Sequence, residues 1–420
     1  MKISKHSKIL MEFLIENPCI QPHAPQTRKT EQIFTKFFHE IKEAVGYLEA
    51  RKKKEGNFYK LRVSKIATIS QIPKPLQFNA NSFPSEVRQH IDEHSQYDLS
   101  FTFSLNKREV TIHFIVEDPD VELYIDQYST YVDKIFAWLY FIDRYATKQC
   151  AKKLTVYLYM TSLTKTLPES SIHILDQIHV NTAFTYTCPI ISEIVIFRKE
   201  EWFKVLLHET FHNFALDFSD MDTHTCHKKI LSIFKVDSEV NLFEAYTEFW
   251  AEILNVAFCS FFLLKHATID EFLQGCDVFV NLERTYSFFQ LAKALQFMGL
   301  RYKDLYLPGS HVERKTLYKE NSNVLSYYVV KTILLANYKG FLTWCNTNNL
   351  SLIQFKKTTQ NLDEFCKFIQ QNFKTASMLR GVNCAEKMVA MVDSKSKNSR
   401  TSKKVQFLLD NMRMSVCEMI

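Results

Sequence analysis

The sequence predicts an α+β protein in which a small mixed sheet and a central helix precede a mainly helical C-terminal lobe. Two short segments, 99–105 and 110–115, alternate apolar and polar residues, which is typical of a β-hairpin. Apolar residues recur at helical spacing over 121–145 and through most of 270–380. Only 7 of the 420 residues are glycine whereas 35 are phenylalanine, a balance that favours helices and a large apolar core.

Four regions are expected along the chain. Residues 1–90 are predicted to form a helical N-terminal region that ends in a proline-rich linker. Residues 91–269 are predicted to form a core of strands and helices, and residues 270–385 a helical lobe. Residues 386–420 are predicted to contain a basic flexible linker and a short terminal helix.

Prolines and basic residues mark the expected linkers. Pro18, Pro22 and Pro25 interrupt the N-terminal helical pattern, and residues 71–84 are predicted to be a further linker. The lysine- and serine-rich run 394–404 is typical of a flexible basic linker. The amphipathic segment 405–414 that follows is expected to dock on the body of the protein or on a partner protein.

A strand and a helix surround the most informative motif. The apolar, β-branched run 191–197 predicts a strand, and 154–159 predicts another. A helical pattern with acidic residues near its start then extends from about residue 200 to residue 215. The motif His208-Glu209-Thr210-Phe211-His212 therefore falls in the middle of a helix.

This HExxH motif predicts a metal site. Residues i and i+4 of a helix share one face, so His208 and His212 can both point at one metal ion. Glu209 stands beside the first histidine, where it can hold a water molecule and take its proton. These are the core elements of a zinc peptidase, with one Zn²⁺ per chain. The alternative is a helix that carries two ordinary surface histidines.

A zinc site of this type needs a third protein ligand. Phe218 and Ala215 stand where the metzincin pattern requires histidine and glycine, so that pattern is absent. A later, almost entirely apolar helical pattern carries Glu244, Glu248 and Glu252 at intervals of four. Buried carboxylates need a cation or a metal as partner, which favours a zinc ligand among them. The alternative is a solvated acidic face.

The HExxH motif followed by Glu244-Ala245-Tyr246-Thr247-Glu248 resembles the gluzincin branch of the zincin metallopeptidases. This resemblance implies a zincin-like catalytic core in which Glu244 is the third zinc ligand. It also places Glu248 beside the ligands, where it would orient a histidine. Glu248 as the ligand itself is the rival assignment.

The resemblance implies two further features. An edge strand that pairs with the extended substrate is expected around Asn181 and Ala183, with an ordinary edge strand as the alternative. A tyrosine or histidine often donates to the developing oxyanion in such enzymes, which nominates Tyr327, Tyr328 and Tyr246. Packing in the core is the alternative role for each tyrosine.

A second resemblance concerns the source of the chain. The run 208–214, the Asp-Phe-Ser at 217–219 and the helix with Glu244, Glu248 and Trp250 resemble proteins of large cytoplasmic DNA viruses. The predicted function is a zinc-dependent metallopeptidase that hydrolyses peptide or protein substrates. The alternative is a catalytically inactive zincin-like structural or interaction protein, such as a component of a viral particle.

Other potential ligands are less consistent with a metal site. His224, Cys226 and His227 are too close together to complete a tetrahedral site, so we expect a loop there. Asp217 and Asp220 could replace Glu244, but their offsets from His212 do not fit the zincins that use aspartate.

Composition and charge indicate which binding partners and which cellular location to expect. A net charge of +6 with dispersed lysines gives no strong nucleic-acid signal. No apolar run is long enough to cross a membrane. The ten cysteines show no C-x-x-C spacing and no signal peptide precedes them, which predicts free thiols in a reducing compartment. The expected location is cytoplasmic, namely the host cytoplasm or the virion if the protein is viral.

Overall fold

The computed structural model describes residues 2–18, 27–80, 82–264, 268–396 and 402–420. It confirms the predicted α+β class, with a six-stranded mixed sheet and a helical C-terminal region. The chain divides into two compact units. We call them the sheet unit, Lys36–Thr164 with Thr182–Asp220, and the helical unit, Met1–Thr35 with Lys165–Asn181 and Met221–Ile420.

The strands are β1 Lys60–Lys65, β2 Tyr97–Leu105, β3 Arg108–Val116, β4 Lys153–Met160, β5 Leu175–Asp176, β6 Ala183–Thr185, β7 Ile191–Ile196 and β8 Glu320–Asn321. The helices are α1 Lys5–Glu16, α2 Arg28–Glu55, α3 Ser85–His94, α4 Ile125–Asp143, α5 Gln177–Val180, α6 Trp202–Asn213, α7 His224–Ile233, α8 Leu242–Leu263, α9 Ile269–Phe297, α10 His311–Leu317, α11 Lys331–Ala336, α12 Tyr338–Asn348, α13 Thr359–Asn372, α14 Ala376–Ser396 and α15 Lys403–Asp410.

The six-stranded sheet has the order β1-β2-β3-β4-β7-β6. β2 and β3 form the predicted antiparallel hairpin, with Phe101 opposite Ile112. β4 runs parallel to both β3 and β7, while β6 pairs antiparallel with β7 and forms one edge. The strands predicted over 154–159 and 191–197 are therefore the central strands β4 and β7.

One edge of the sheet was not predicted. Residues 60–65, which we expected to be helical, form β1 and pair antiparallel with β2. Four of its six residues are exposed, and Lys60, Arg62 and Lys65 are charged. Charged side chains are common on edge strands because they discourage pairing with other chains. They also weaken the apolar alternation by which a strand is recognised in a sequence.

Both faces of the sheet are covered. On one face, Ile72 and Phe83 come from the region expected to be a linker. Together with α3 they form a core with β4 and β7, and the Phe83 ring stacks on that of Phe197. On the other face, the Phe136 ring of α4 contacts that of Phe103 in β2 at a centroid distance of 5.4 Å. The 71–84 segment is thus part of the core of the sheet unit.

The helical unit is assembled around α9. This 29-residue helix packs against α1, α8, α11 and α14. α14 lies close to α9 at Gly381, where an added Cβ atom would be 2.5 Å from the Phe288 ring of α9. The glycine therefore lets two helices approach more closely than any side chain would permit.

The C-terminal segment docks on the body of the helical unit. Residues 386–396, expected within a flexible linker, belong to α14, and residues 397–401 lie outside the described residues, as do Pro22 and Pro25. Residues 411–417 are buried. Glu283 of α9 accepts hydrogen bonds from the Val416 and Cys417 amides, both at 2.9 Å.

Lys293 of α9 holds the same segment from inside the core. Its ammonium donates to the backbone carbonyls of Leu408, at 3.0 Å, and Asn411. Burial lowers the pKa of Lys293 to about 7, because the charged form is poorly solvated there.

The prediction that the cysteines are free thiols is wrong for several of them. Disulfides join Cys150 to Cys188 and Cys226 to Cys366, and Cys384 is also disulfide-bonded. The paired residues are 38 and 140 positions apart, so folding rather than local spacing brings them together. The described free thiols are all buried, at Cys259, Cys276, Cys345 and Cys417. Among the described residues, no helix is long and apolar enough to cross a membrane.

The approach of α14 to α9 predicts the effect of adding one methyl group. Gly381→Ala should lower the free energy of unfolding by about 1–3 kcal/mol, since overpacking against the buried Phe288 ring outweighs the gain in helix propensity. Gly46→Ala is the control, because Gly46 lies in α2 with no atom within 4 Å of the added Cβ. It should be neutral or stabilising by up to about 1 kcal/mol. Denaturant unfolding measures both, and equal stabilities would contradict the packing.

The buried lysine predicts a pH dependence of stability. The pKa of Lys293 is lower in the folded chain than in the unfolded one, so the folded protein binds fewer protons above about pH 7. Stability should therefore rise with pH, and the wild type should gain about 1–3 kcal/mol over Lys293→Met between about pH 7 and about pH 9. The exposed Lys403→Met is the control and should follow the wild type. Identical pH profiles for wild type and Lys293→Met would refute this assignment.

Candidate metal centre

The helix α6 carries the HExxH motif and is buried along its whole length. It begins at Trp202, two residues later than predicted, because Glu201 adopts a left-handed conformation with φ 58°. All twelve of its residues are buried. Thr210 shows how a polar residue is accommodated: its hydroxyl accepts from the Trp138 indole at 2.9 Å and donates to the Leu207 carbonyl at 2.8 Å. The histidines of the motif are therefore not surface residues.

The two histidines converge through the same ring atom. The Nε2 atoms of His208 and His212 are 3.1 Å apart, and both side chains are buried. A tetrahedral zinc site with bond lengths of about 2.0–2.1 Å places two ligand nitrogens about 3.3 Å apart. The observed separation therefore suits two ligands of one metal ion.

Glu244 completes a buried group of three ligands. One ligand atom from each of His208, His212 and Glu244 lies within 4.8 Å of the others. Glu244 is half-buried in the first turn of α8. Two imidazoles and one carboxylate are a donor set that can hold a metal ion. In the part of the chain that the structure describes, no other group of three such residues meets this geometry.

The three glutamates of α8 have different surroundings. Glu248 is buried on the same helix but does not belong to the three-ligand group. Glu252, deeper in the core, forms an ion pair with Lys331 at 2.7 Å. Burial raises the pKa of the Glu252 carboxyl well above its usual value, while the Lys331 ammonium opposes that shift. Of the three glutamates of α8, Glu252 is thus paired with a lysine.

The three tyrosines nominated as oxyanion donors also differ in the groups to which their hydroxyls donate. The Tyr327 hydroxyl donates to Oε2 of Glu244 at 2.7 Å. The Tyr328 hydroxyl donates to the Met412 carbonyl and the Tyr246 hydroxyl to the Ile353 carbonyl, both at 2.9 Å in the buried core. The hydroxyl of Tyr327 is thus bonded to a residue of the candidate site, whereas the other two hydroxyls donate to backbone carbonyls. Tyr327 lies in a π-helical turn, Leu325–Val330, a distortion that is frequent at functional sites.

The two edge-strand residues differ in position. Ala183 is the first residue of β6, which lies at the sheet edge and pairs with β7. Asn181 is not in the strand but caps the C-terminus of α5, with its amide donating to the Gln177 carbonyl at 2.7 Å.

Two functional neighbours of the motif were not recognised in the sequence. Asp217, which we considered only as a replacement ligand, instead forms a hydrogen bond with Nδ1 of His212. Asn213, directly after the motif, donates through its side-chain amide to the Thr185 hydroxyl at 2.8 Å and to the Tyr186 carbonyl at 3.3 Å. These bonds connect the end of α6 with the β6–β7 hairpin. The only feature of the sequence that sets Asn213 and Asp217 apart is that both are polar within an otherwise apolar run.

The His224, Cys226 and His227 cluster does not form a loop. These residues open the helix α7, and Cys226 is bonded to Cys366. The disulfide could not be expected from local spacing, because Cys366 lies 140 residues from Cys226.

A scan against protein-family models and searches of curated proteins and of solved structures find no match to this chain. The metal centre therefore rests on the arrangement of its own side chains.

The contact between Tyr327 and Glu244 predicts a specific loss in Tyr327→Phe. Without the hydroxyl, the carboxylate is less firmly oriented, and the affinity for a divalent metal ion should fall about tenfold. Tyr328→Phe is the matched control, because its hydroxyl bonds the Met412 carbonyl and should affect stability but not metal affinity. Competition for Zn²⁺ with a chromophoric chelator measures both. Equal losses of affinity in the two variants would argue against a role of Tyr327 at the site.

Proposed function

We propose that this protein is a zinc-dependent metallopeptidase. The observation that carries the proposal is the buried group of His208, His212 and Glu244, whose ligand atoms lie within 4.8 Å of one another. Two histidines and one glutamate are a ligand set used by catalytic zinc sites, which leave a further position open. The resemblance to gluzincins, carried by the HExxH motif and the Glu244-to-Glu248 segment, supports the same chemistry.

The residues of the chain take separate roles in this proposal. His208, His212 and Glu244 would hold zinc. When bound, zinc supplies a Lewis acid that makes water more acidic and polarises a substrate carbonyl. Glu209, buried next to the first histidine, accepts the proton of the attacking water at its carboxylate. It then donates that proton to the nitrogen of the leaving amine.

The substrate would be a peptide or protein bound in an extended conformation. The edge strand β6 has β7 on one side only, so its other side can pair with a further strand. Tyr327 is the tyrosine that we retain as a transition-state donor, because its hydroxyl lies at Glu244, whereas those of Tyr328 and Tyr246 donate to backbone carbonyls in the core. To act as that donor, the Tyr327 hydroxyl would turn from Glu244 to the developing oxyanion. Glu248 remains the rival to Glu244 as third ligand, and metal analysis of the two variants distinguishes them.

Glu209→Gln should separate metal binding from hydrolysis. The purified wild type should contain about one zinc per chain by elemental analysis and cleave members of a peptide library. Glu209→Gln should retain the zinc but lose at least about a hundredfold in the rate of cleavage, because the amide cannot accept the proton.

The ligand variants serve as controls for that experiment. Glu244→Gln should lose zinc, whereas Glu248→Gln should retain it. The opposite result would transfer the ligand role to Glu248. If the wild type contains zinc but cleaves no better than Glu209→Gln, the protein is a zincin-like structural or interaction protein and not a peptidase.

A further inference from the structure

We infer that Asp217 is a positioning residue that orients His212 toward the metal. The inference rests on the proposed function and extends it, because the gluzincin resemblance nominates Glu248 for that kind of role and says nothing of Asp217. The observation that carries it is a hydrogen bond between a carboxylate oxygen of Asp217 and Nδ1 of His212.

The backbone after α6 brings Asp217 back to the helix. Ala215 adopts a left-handed conformation with φ 55°, and its amide donates to the His212 carbonyl at 3.0 Å. The next amide, of Leu216, donates to the Phe211 carbonyl at 2.9 Å. This closing turn reverses the chain within a few residues and places the Asp217 side chain beside the ring of His212.

The carboxylate itself is held in place. Asp217 is completely buried. Its other oxygen, Oδ1, accepts from the Ser219 amide at 3.3 Å and from the Ser219 hydroxyl at 3.0 Å. The Ser219 hydroxyl also lies 2.9 Å from that of Thr187, in the hairpin between β6 and β7. Because Asp217 is anchored through Ser219, it can orient the imidazole instead of following it.

The geometry fixes which nitrogen of His212 meets the metal. A carboxylate at Nδ1 accepts the ring proton there, so Nε2 is the atom that carries the lone pair for coordination. The Nε2 atom of His212 faces that of His208 at 3.1 Å. The same carboxylate makes the imidazole a stronger electron donor, which increases its affinity for a metal ion.

Asp217→Asn and Asp217→Ala in the full chain test the inference. We expect zinc affinity, measured by competition with a chromophoric chelator, to fall about tenfold in Asp217→Asn and up to about a hundredfold in Asp217→Ala. The asparagine oxygen can still accept from Nδ1, which accounts for the smaller loss. Asp222→Asn is the charge-matched control, because this exposed carboxylate accepts a hydrogen bond from the His224 amide and its substitution should leave the affinity unchanged.

A spectroscopic readout distinguishes positioning from a general loss of structure. In the zinc-loaded, ¹⁵N-histidine-labelled wild type, His212 should show a protonated Nδ1 and a metal-bound Nε2, and Asp217→Ala should shift the Nδ1 resonances. Ser219→Ala, which removes only one of the bonds that hold Asp217, should fold normally and show a smaller loss of affinity. Asp217→Asn and Ser219→Ala keep the test decisive if Asp217→Ala folds poorly.

The outcomes separate this inference from the proposed function. If the wild type binds no zinc, both fail. If the wild type binds zinc and Asp217→Asn, Asp217→Ala and Ser219→Ala bind it equally tightly, the inference alone is overturned. If the affinity falls as expected while wild-type protein hydrolyses no peptide, Asp217 remains the positioning residue of a metal centre that is not a peptidase.

Discussion

The burial of two converging imidazoles within one helix is the constraint on which the site depends. Every residue of α6 is buried, so each polar side chain on it needs a partner inside the protein. Thr210 has the indole of Trp138, and His212 has Asp217. A helix with this many enclosed polar groups depends on hydrogen bonds from the structure around it. The sheet, α4 and the closing turn after α6 are the elements that meet this requirement.

The glutamates of the buried helix α8 also need partners, and these partners differ along the helix. Its apolar residues bury it deeply, yet it carries three glutamates on one side. Glu252 has the ammonium of Lys331, which supplies the positive charge that a buried carboxylate needs. Glu244, at the half-buried start of the helix, has the hydroxyl of Tyr327, which donates a hydrogen bond but no charge. A metal ion bound at Glu244, as proposed, would supply there the positive charge that Lys331 supplies to Glu252.

Features encoded by neighbouring residues were predictable from the sequence, whereas those that depend on distant residues were not. The β2–β3 hairpin, the strand β7 and the helix that carries the motif follow from local periodicity, and the structure contains all of them. The β1 strand was missed because its charged edge obscures the alternation. The Cys226–Cys366 disulfide and the choice of Tyr327 over Tyr328 depend on packing between segments far apart in sequence.

In the proposed site, Asp217 would let the His212 ligand be oriented by residues of its own segment. The residues that orient His212 lie within seven positions of it or in the adjoining hairpin, from Asp217 through Ser219 to Thr187. These hydrogen bonds all lie within the sheet unit. A ligand whose ring is already oriented loses less conformational entropy when it binds a metal. In the proposed site, His212 would thus be preorganised by its own segment, and Glu244 would complete the ligand set.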